Sequence, residues 1–183
     1  MKYDVWVGRN DRSKSWQGKW FADIGLLESL PEIAGDRKAQ GIVELIDVIW
    51  LHGRIIQAAF EIEHTTAVYS GLLRMSDLLS LVPNLTIPLY VVAPERRRKL
   101  VVDEINRPTF REVLRLHEKC RLITFERLTT EIKKLEGYTT HLAESFLDKV
   151  SEPCELIDVP PGGVEIAGPP RRGRPRKAPQ PAT

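Results

Sequence analysis

Apolar residues recur along this chain with two different periods, and the switches between them mark its elements. Residues 3–7 alternate as a short strand, ended by Gly8-Arg9-Asn10-Asp11. Trp16, Trp20, Phe21, Ile24, Leu27 and Leu30 recur at the spacing of one helix face, which Pro31 interrupts. After a polar link over 35–40, the Val- and Ile-rich runs 42–51 and 55–66, joined by Gly53-Arg54, predict a β-hairpin of two long strands. Leu72, Leu73, Met75, Leu78 and Leu79 place a helix over 69–82, closed by Pro83-Asn84. Residues 88–93 form an apolar run of strand length, followed by a charged helix over 95–103 and a break at Asn106-Arg107-Pro108. A further helix is expected over 110–119, a strand over 121–125, and closing helices over 128–135 and 142–150.

Helices between successive strands favour parallel crossovers, whereas Gly53 joins an antiparallel pair. The expected fold is therefore α/β, a mixed sheet with an antiparallel hairpin and a parallel crossover, flanked by helices. From about Pro160 the chain turns to Pro, Gly and Arg, which cannot build a core. That divides it into an α/β domain over 1–158 and a disordered basic tail over 159–183.

Charge sharpens that division. The net charge is +2, but from Gly168 onward there are five basic residues (Arg171, Arg172, Arg174, Arg176, Lys177) and no acid, so the body carries about −3. A general basic surface is thereby excluded; attraction to phosphates must come from the tail or from a local patch, of which Arg96-Arg97-Arg98-Lys99 is the candidate for a backbone contact. With 183 residues, 42% of them hydrophobic, one cored domain is expected. No apolar run is long enough to span a bilayer, and the first residues lack the apolar core of a signal peptide. Cys120 and Cys154 lie far apart without metal-ligand spacing, and read as reduced thiols of a cytoplasmic protein. Gly-rich phosphate loops, Ser-His-Asp ordering and nicotinamide fingerprints are absent, which removes ATPase, triad hydrolase and dehydrogenase readings.

Candidate chemistry sits in the hairpin. Ile46-Asp47-Val48-Ile49-Trp50 precedes the turn and Phe60-Glu61-Ile62-Glu63 follows it. Side chains alternate on a strand, so Glu61 and Glu63 share a face with Gln57 and Ala59, while Phe60 and Ile62 point the other way. If helices cover the Phe60 side, the glutamates lie on the opposite face, beside Asp47. Gathered carboxylates repel unless a cation sits among them, and hard oxygen donors suit Mg²⁺ or Mn²⁺. The plain alternative is that Glu61 and Glu63 line the solvent face of an ordinary alternating strand. Against it, the strand is long and mostly apolar, as a central strand would be.

The order helix, strand, Asp-bearing strand, Glu-x-Glu strand, helix, strand over residues 16–125 resembles the core of the PD-(D/E)xK nuclease superfamily. Residues 60–75 also resemble a cassette of bacterial nuclease-like proteins. The resemblance implies that Asp47 and Glu61 are metal ligands, with the Ile62 carbonyl as a further donor. Ile46 stands where the pattern has proline and Glu63 where it has lysine. Glu63 could act as a further ligand or orient the attacking water, and Arg74 on the next helix could supply the missing cation; otherwise Arg74 is an ion-paired helical arginine. Glu28, on the first expected helix, is a position from which some members add a carboxylate, and otherwise is solvated. His64 faces the Phe60 side and reads as a packed histidine.

Within the tail, Arg172-Gly173-Arg174-Pro175-Arg176 resembles an AT-hook. Gly and Pro keep the backbone extended and narrow, and arginines meet the negative potential of a narrow minor groove, which is read largely as A·T against G·C. The plain alternative is a solubility tail with nonspecific phosphate contacts. Together these features lead to a Mg²⁺-dependent endonuclease tethered to AT-rich DNA, and the family resemblance implies a homodimer. Two other readings stand beside it: a nuclease-fold protein that binds DNA without cutting, and an interaction subunit whose catalytic partner lies elsewhere.

Overall fold

Gly53 adopts φ +61° and lets β4 (Val48–His52) turn directly into β5 (Ile55–Ile62), the hairpin that the apolar pattern predicts. The computed structural model describes residues 3–23, 25–33, 35, 37–64, 68–82, 86–135 and 144–156. Among these, β1 (Asp4–Val7), β4, β5, β6 (Leu89–Ala93), β7 (Cys120–Thr124) and β8 (Ser151–Pro153) form one sheet in the order β1-β4-β5-β6-β7-β8. The β1–β4, β4–β5 and β7–β8 pairs are antiparallel, and β5–β6 and β6–β7 are parallel. The mixed α/β sheet flanked by helices is as expected, with β5 central.

Helices cover the sheet on both sides. α2 (Val68–Leu81) and α3 (Arg98–Ile105) pack against the face that carries Ile49, Ala59, Leu89, Val91 and Leu122. Also on this side is α1 (Arg37–Val43), packed on α2. The other face carries Ala58, Phe60, Tyr90, Val92 and Ile123, and meets Phe125 and Leu128 of α5 (Phe125–Lys134) and Leu147 of α6 (Glu144–Val150). A row of rings crosses it: Tyr3, Trp50, Phe60 and Tyr90 stand at successive centroid distances of 5.2, 5.0 and 5.0 Å. Because both faces are covered, Ala58, Ala59, Phe60 and Glu61 are all buried in succession.

Four expectations need correction. The residues around Trp16 and Trp20 form no helix where described: β2 (Ser15–Trp16) and β3 (Lys19–Trp20) make a two-stranded ribbon, followed by a 3₁₀ turn at Phe21–Asp23. Gln17 and Gly18, at φ +50° and +77°, form its turn and overrule the spacing of the apolar residues. The run 42–51 is divided between the end of α1, a turn and β4, because Val43 and Ile46 both bury in the core while the chain reverses between them. Register slips between Trp50 and Leu51, which pair with Ala58 and Ile56, so Gln57 is an extra residue in β5. The bulge removes Gln57 from the line of Ala59 and Glu61. Finally, 109–119 is split into a π-helical turn (Thr109–Val113) and α4 (Leu116–Lys119) by Arg115 at φ +50°.

The last residues, 157–183, with the tail motif Arg172-Gly173-Arg174-Pro175-Arg176, lie outside the described residues. Among the described residues no helix is long and apolar enough to cross a membrane. Cys120 and Cys154 are free and buried.

Candidate active site

Three chain segments end at the same edge of the sheet: the residue before β4, the end of β5 and the end of β6. The first is Asp47. Its backbone is fixed by β1, where the Gly8 N–H donates to the Asp47 carbonyl (2.8 Å) and the Arg9 N–H to the Glu44 carbonyl (3.1 Å). The approach is so close that a Cβ on Gly8 would stand 2.7 Å from the Ile46 carbonyl oxygen, so glycine is required. Across the hairpin, Val48 pairs with Phe60, which sets Asp47 beside Glu61. The Asp47 carboxylate accepts the Ile62 N–H at 2.7 Å (Oδ2), taking up a donor at the very end of β5.

Glu61 is fully buried, and its face is the one under α2, not the open face that would follow if helices covered only the Phe60 side. Glu63 shares that face and is also buried; its N–H donates to the Val92 carbonyl (2.8 Å), extending the β5–β6 ladder past the strand. Room for both comes from Gly71 in α2: a Cβ there would meet Glu63 Oε1 at 2.5 Å and Glu61 Cβ and Oε2 at 3.2 Å. A glycine inside a helix costs about 1 kcal/mol relative to alanine, and here the space it leaves is filled by carboxylates.

One turn further along α2, Arg74 reaches back over the pair. Its Nε donates to Glu61 Oε1 (2.8 Å) and its Nη2 to Glu61 Oε2, a bidentate fork, and Nη2 stands 3.6 Å from Asp47 Oδ1. Arg74 is thus ion-paired, and its partners are the two acids singled out from the sequence. Burial works against the charged forms of all three acids. Burial pushes the Glu61 carboxyl up to about 8; the Arg74 bonds oppose the shift, and the Asp47 charge adds to it. Asp47 is also raised, first by burial and against the pull of the Ile62 N–H and Arg74. Glu63 is raised by burial and by Asp47, and pulled back by Arg74 and Arg97.

Other residues near this edge escaped the sequence reading. Gly8 and Gly71 make space, and a glycine within a helix is the signal that could have exposed the second. Lys14, just before the β2–β3 ribbon, pairs with Asp11, which raises its pKa, and the charge of Asp47 adds to that shift. Glu28 is exposed and lies on no helix; its carbonyl accepts Arg12 Nη1. His64 does face the Phe60 side, its ring 6.0 Å from that of Phe125, but it is exposed rather than packed away.

The arrangement is a buried carboxylate, Glu61, and a half-buried one, Asp47, bridged by a single guanidinium, with a third carboxylate alongside, at the carboxyl ends of parallel strands where open α/β sheets hold their ligands. The type II restriction enzyme NmeDI of Neisseria meningitidis serogroup C is 34% identical over 119 residues, covering 62% of this chain. The match covers 34% of that enzyme, so the chain spans about a third of its length. No solved structure matches the chain. The model of the family described as Type II restriction enzyme NmeDI C-terminal domain matches residues 1–154, and the chain belongs to that family.

Proposed function

We propose that this chain is a divalent-metal-dependent endonuclease domain that hydrolyses phosphodiester bonds in DNA, with Asp47 and Glu61 as the ligands of Mg²⁺ or Mn²⁺. One observation carries the reading: Asp47 and Glu61 share the head of Arg74, yet the Glu61 carboxyl is still pushed up to about 8. Three carboxylates at one edge, with one guanidinium bonded between two of them, leave a place for a second cation. Among the described residues no three His, Cys, Asp or Glu side chains gather to hold a metal by themselves. Two carboxylates, however, are what Mg²⁺ usually takes from a protein, with water and phosphate oxygens completing its shell. The Ile62 carbonyl is a further oxygen donor in this scheme. The relative's name, a restriction enzyme, supports DNA as the substrate.

When bound, such an ion polarises a phosphoryl oxygen and lowers the pKa of an attacking water. Glu63 stands where the superfamily pattern has lysine, and its carboxyl, raised by burial, is the base nearest the proposed ligands. It orients the water and accepts its proton as the water oxygen bonds to phosphorus and the bond to the departing sugar oxygen breaks. That oxygen takes a proton from solvent. The tail Arg172, Gly173, Arg174, Pro175 and Arg176 would tether the domain to AT-rich duplex. Cutting both strands with a single site per chain calls for two copies, so a homodimer belongs to the proposal.

A second reading is favoured by the position of Arg74 between the carboxylates: a DNA-binding protein on a nuclease fold, in which arginine permanently takes the place of metal. Supercoiled AT-rich plasmid incubated with Mg²⁺, Mn²⁺ or EDTA separates the two. The proposal expects metal-dependent nicking by the wild type and none by Asp47→Ala or Glu61→Ala. Intact plasmid under every metal, with binding retained, would leave the second reading.

A further inference from the structure

The run Arg96-Arg97-Arg98-Lys99 leaves the end of β6 beside Glu63, and its four cations are not equivalent. Arg98 is held by Glu95 and Glu152, Lys99 by Asp103 (2.6 Å), and Arg96 is exposed. Arg97 is turned inward: its Nε and Nη2 are buried and hydrogen-bond to nothing among the described residues. The turn that aims it is well fixed. Pro94 sets the backbone with φ −63°, its carbonyl accepts the Arg97 N–H at 2.8 Å, and the Glu95 N–H donates to Glu126 Oε2 at 2.9 Å.

Buried donors are nearly always satisfied, and leaving one unmade costs about 1–3 kcal/mol, more when it is charged. The Glu63 N–H bonds the Val92 carbonyl at 2.8 Å, so the turn that carries Arg97 leaves β6 alongside Glu63. Arg74 is spent on Glu61 and Asp47 and has its fork filled. We infer that Arg97 is the phosphate-binding residue of this site: its guanidinium, whose Nε–H and Nη2–H are unbonded and closed off from solvent in the free protein, turns to donate them to the non-bridging oxygens of the DNA phosphate held at the Asp47–Glu61 edge. Arg97 thereby supplies, from the end of the next strand, the positive charge that Glu63 removes by standing in place of lysine. Charge balance agrees. Asp47, Glu61 and Glu63 against Arg74 and Arg97 leave one negative charge when all are ionised; a divalent ion makes it one positive, which a single phosphodiester neutralises.

The inference rests on the nuclease reading for its catalytic consequence, but not for the phosphate contact itself. Full-length Arg97→Gln is compared with wild type and with Arg54→Gln, which removes an exposed arginine at the far end of the hairpin. Binding to an AT-rich duplex is followed by anisotropy in Ca²⁺ over a series of salt concentrations. One lost phosphate contact lowers the slope of log affinity against log salt by about 0.9, and Arg97→Gln is expected to show this while Arg54→Gln does not. In Mg²⁺, single-turnover cleavage at saturating DNA should fall by about 10²–10³-fold, the usual loss for one donor to a transition-state oxyanion, and Arg97→Lys should recover part of it. A structural role predicts that Arg97→Gln melts lower; removal of two buried, unbonded donors predicts that it melts at least as high as wild type. An unchanged slope, or an equal drop in Arg54→Gln, overturns the inference. A wild type that never cuts, with the slope still lowered only in Arg97→Gln, sinks the nuclease reading and leaves the phosphate contact standing.

Discussion

Gly71→Ala puts the packing of the site to a direct test, because its two consequences have opposite signs. In an unobstructed helix interior the change should stabilise by about 1 kcal/mol, since alanine is the better helix former. Gly41 provides that reference within the same chain: it lies in α1 and a Cβ there would meet nothing within 4 Å. At Gly71 the added carbon would stand 2.5 Å from Glu63 Oε1 and 3.2 Å from Glu61 Cβ and Oε2. The end of Glu63 can swing aside, but Glu61 is fully buried with both oxygens held by Arg74. Overpacking of this kind costs about 1–3 kcal/mol. The net effect at Gly71 therefore runs from near zero to a loss of about 2 kcal/mol, and the two variants differ by about 1–3 kcal/mol. For a chain of this size each kcal/mol is worth about 2–4 °C, so Gly41→Ala should melt above Gly71→Ala by about 2–12 °C. Mn²⁺ titration of the same samples should show affinity lost only in Gly71→Ala, since the displaced groups are the proposed ligand and its neighbour. Equal melting increases in the two variants, with Mn²⁺ binding intact, would refute the packing argument.

Three more predictions follow from the electrostatics. Folded Glu61 keeps its proton to about pH 8, whereas an unfolded glutamate loses it near 4.5, so between these values the native state binds more protons and metal-free stability falls as pH rises. Chemical denaturation from pH 5 to 9 should show this slope, at most about 1.4 kcal/mol per pH unit, and Mn²⁺ affinity should climb through pH 8 as the metal displaces the proton. Arg74→Met leaves Glu61 buried without its cation; the expected loss of about 3–5 kcal/mol should appear at pH 9 and shrink at pH 6, where Glu61 carries its own proton. Equal losses at the two pH values would contradict the assignment of the shift to Glu61. Burial raises the Cys120 thiol well above its ordinary range and pushes Cys154 up to about 12, so neither should react with a thiol reagent at pH 8 until denaturant opens the core.

Much of the site was legible because hairpin and chemistry coincide: a Val- and Ile-rich pair of runs about a single glycine admits few alternatives, and Glu-x-Glu on an apolar strand stands out. The direction that Glu61 and Glu63 face was not. Sequence alternation places them together but cannot say which face a helix covers, and here helices cover both, which is why a glutamate is buried to 0% exposure. The bulge at Gln57 also left no local mark, since it is fixed by pairing across to Trp50 and Leu51. In the ribbon, by contrast, the helical spacing of Trp16, Trp20 and Phe21 was misleading, and Gln17-Gly18 held the better information. Arg97 was visible only as one of four adjacent cations; which of them turns inward depends on the Pro94 turn and on acids supplied by α5 and β8.

The ring row Tyr3, Trp50, Phe60 and Tyr90 lies on the side of the sheet away from the carboxylates and threads the hairpin to β6. Chromophores this close couple optically, so the row should give a near-ultraviolet dichroism signature that records the stacking of three neighbouring strands. Phe60 and Glu61 are consecutive on β5, one on each side. The chain therefore carries its own built-in witness: a substitution among the acids that leaves the aromatic bands intact has altered chemistry alone, and one that erases them has unmade the sheet.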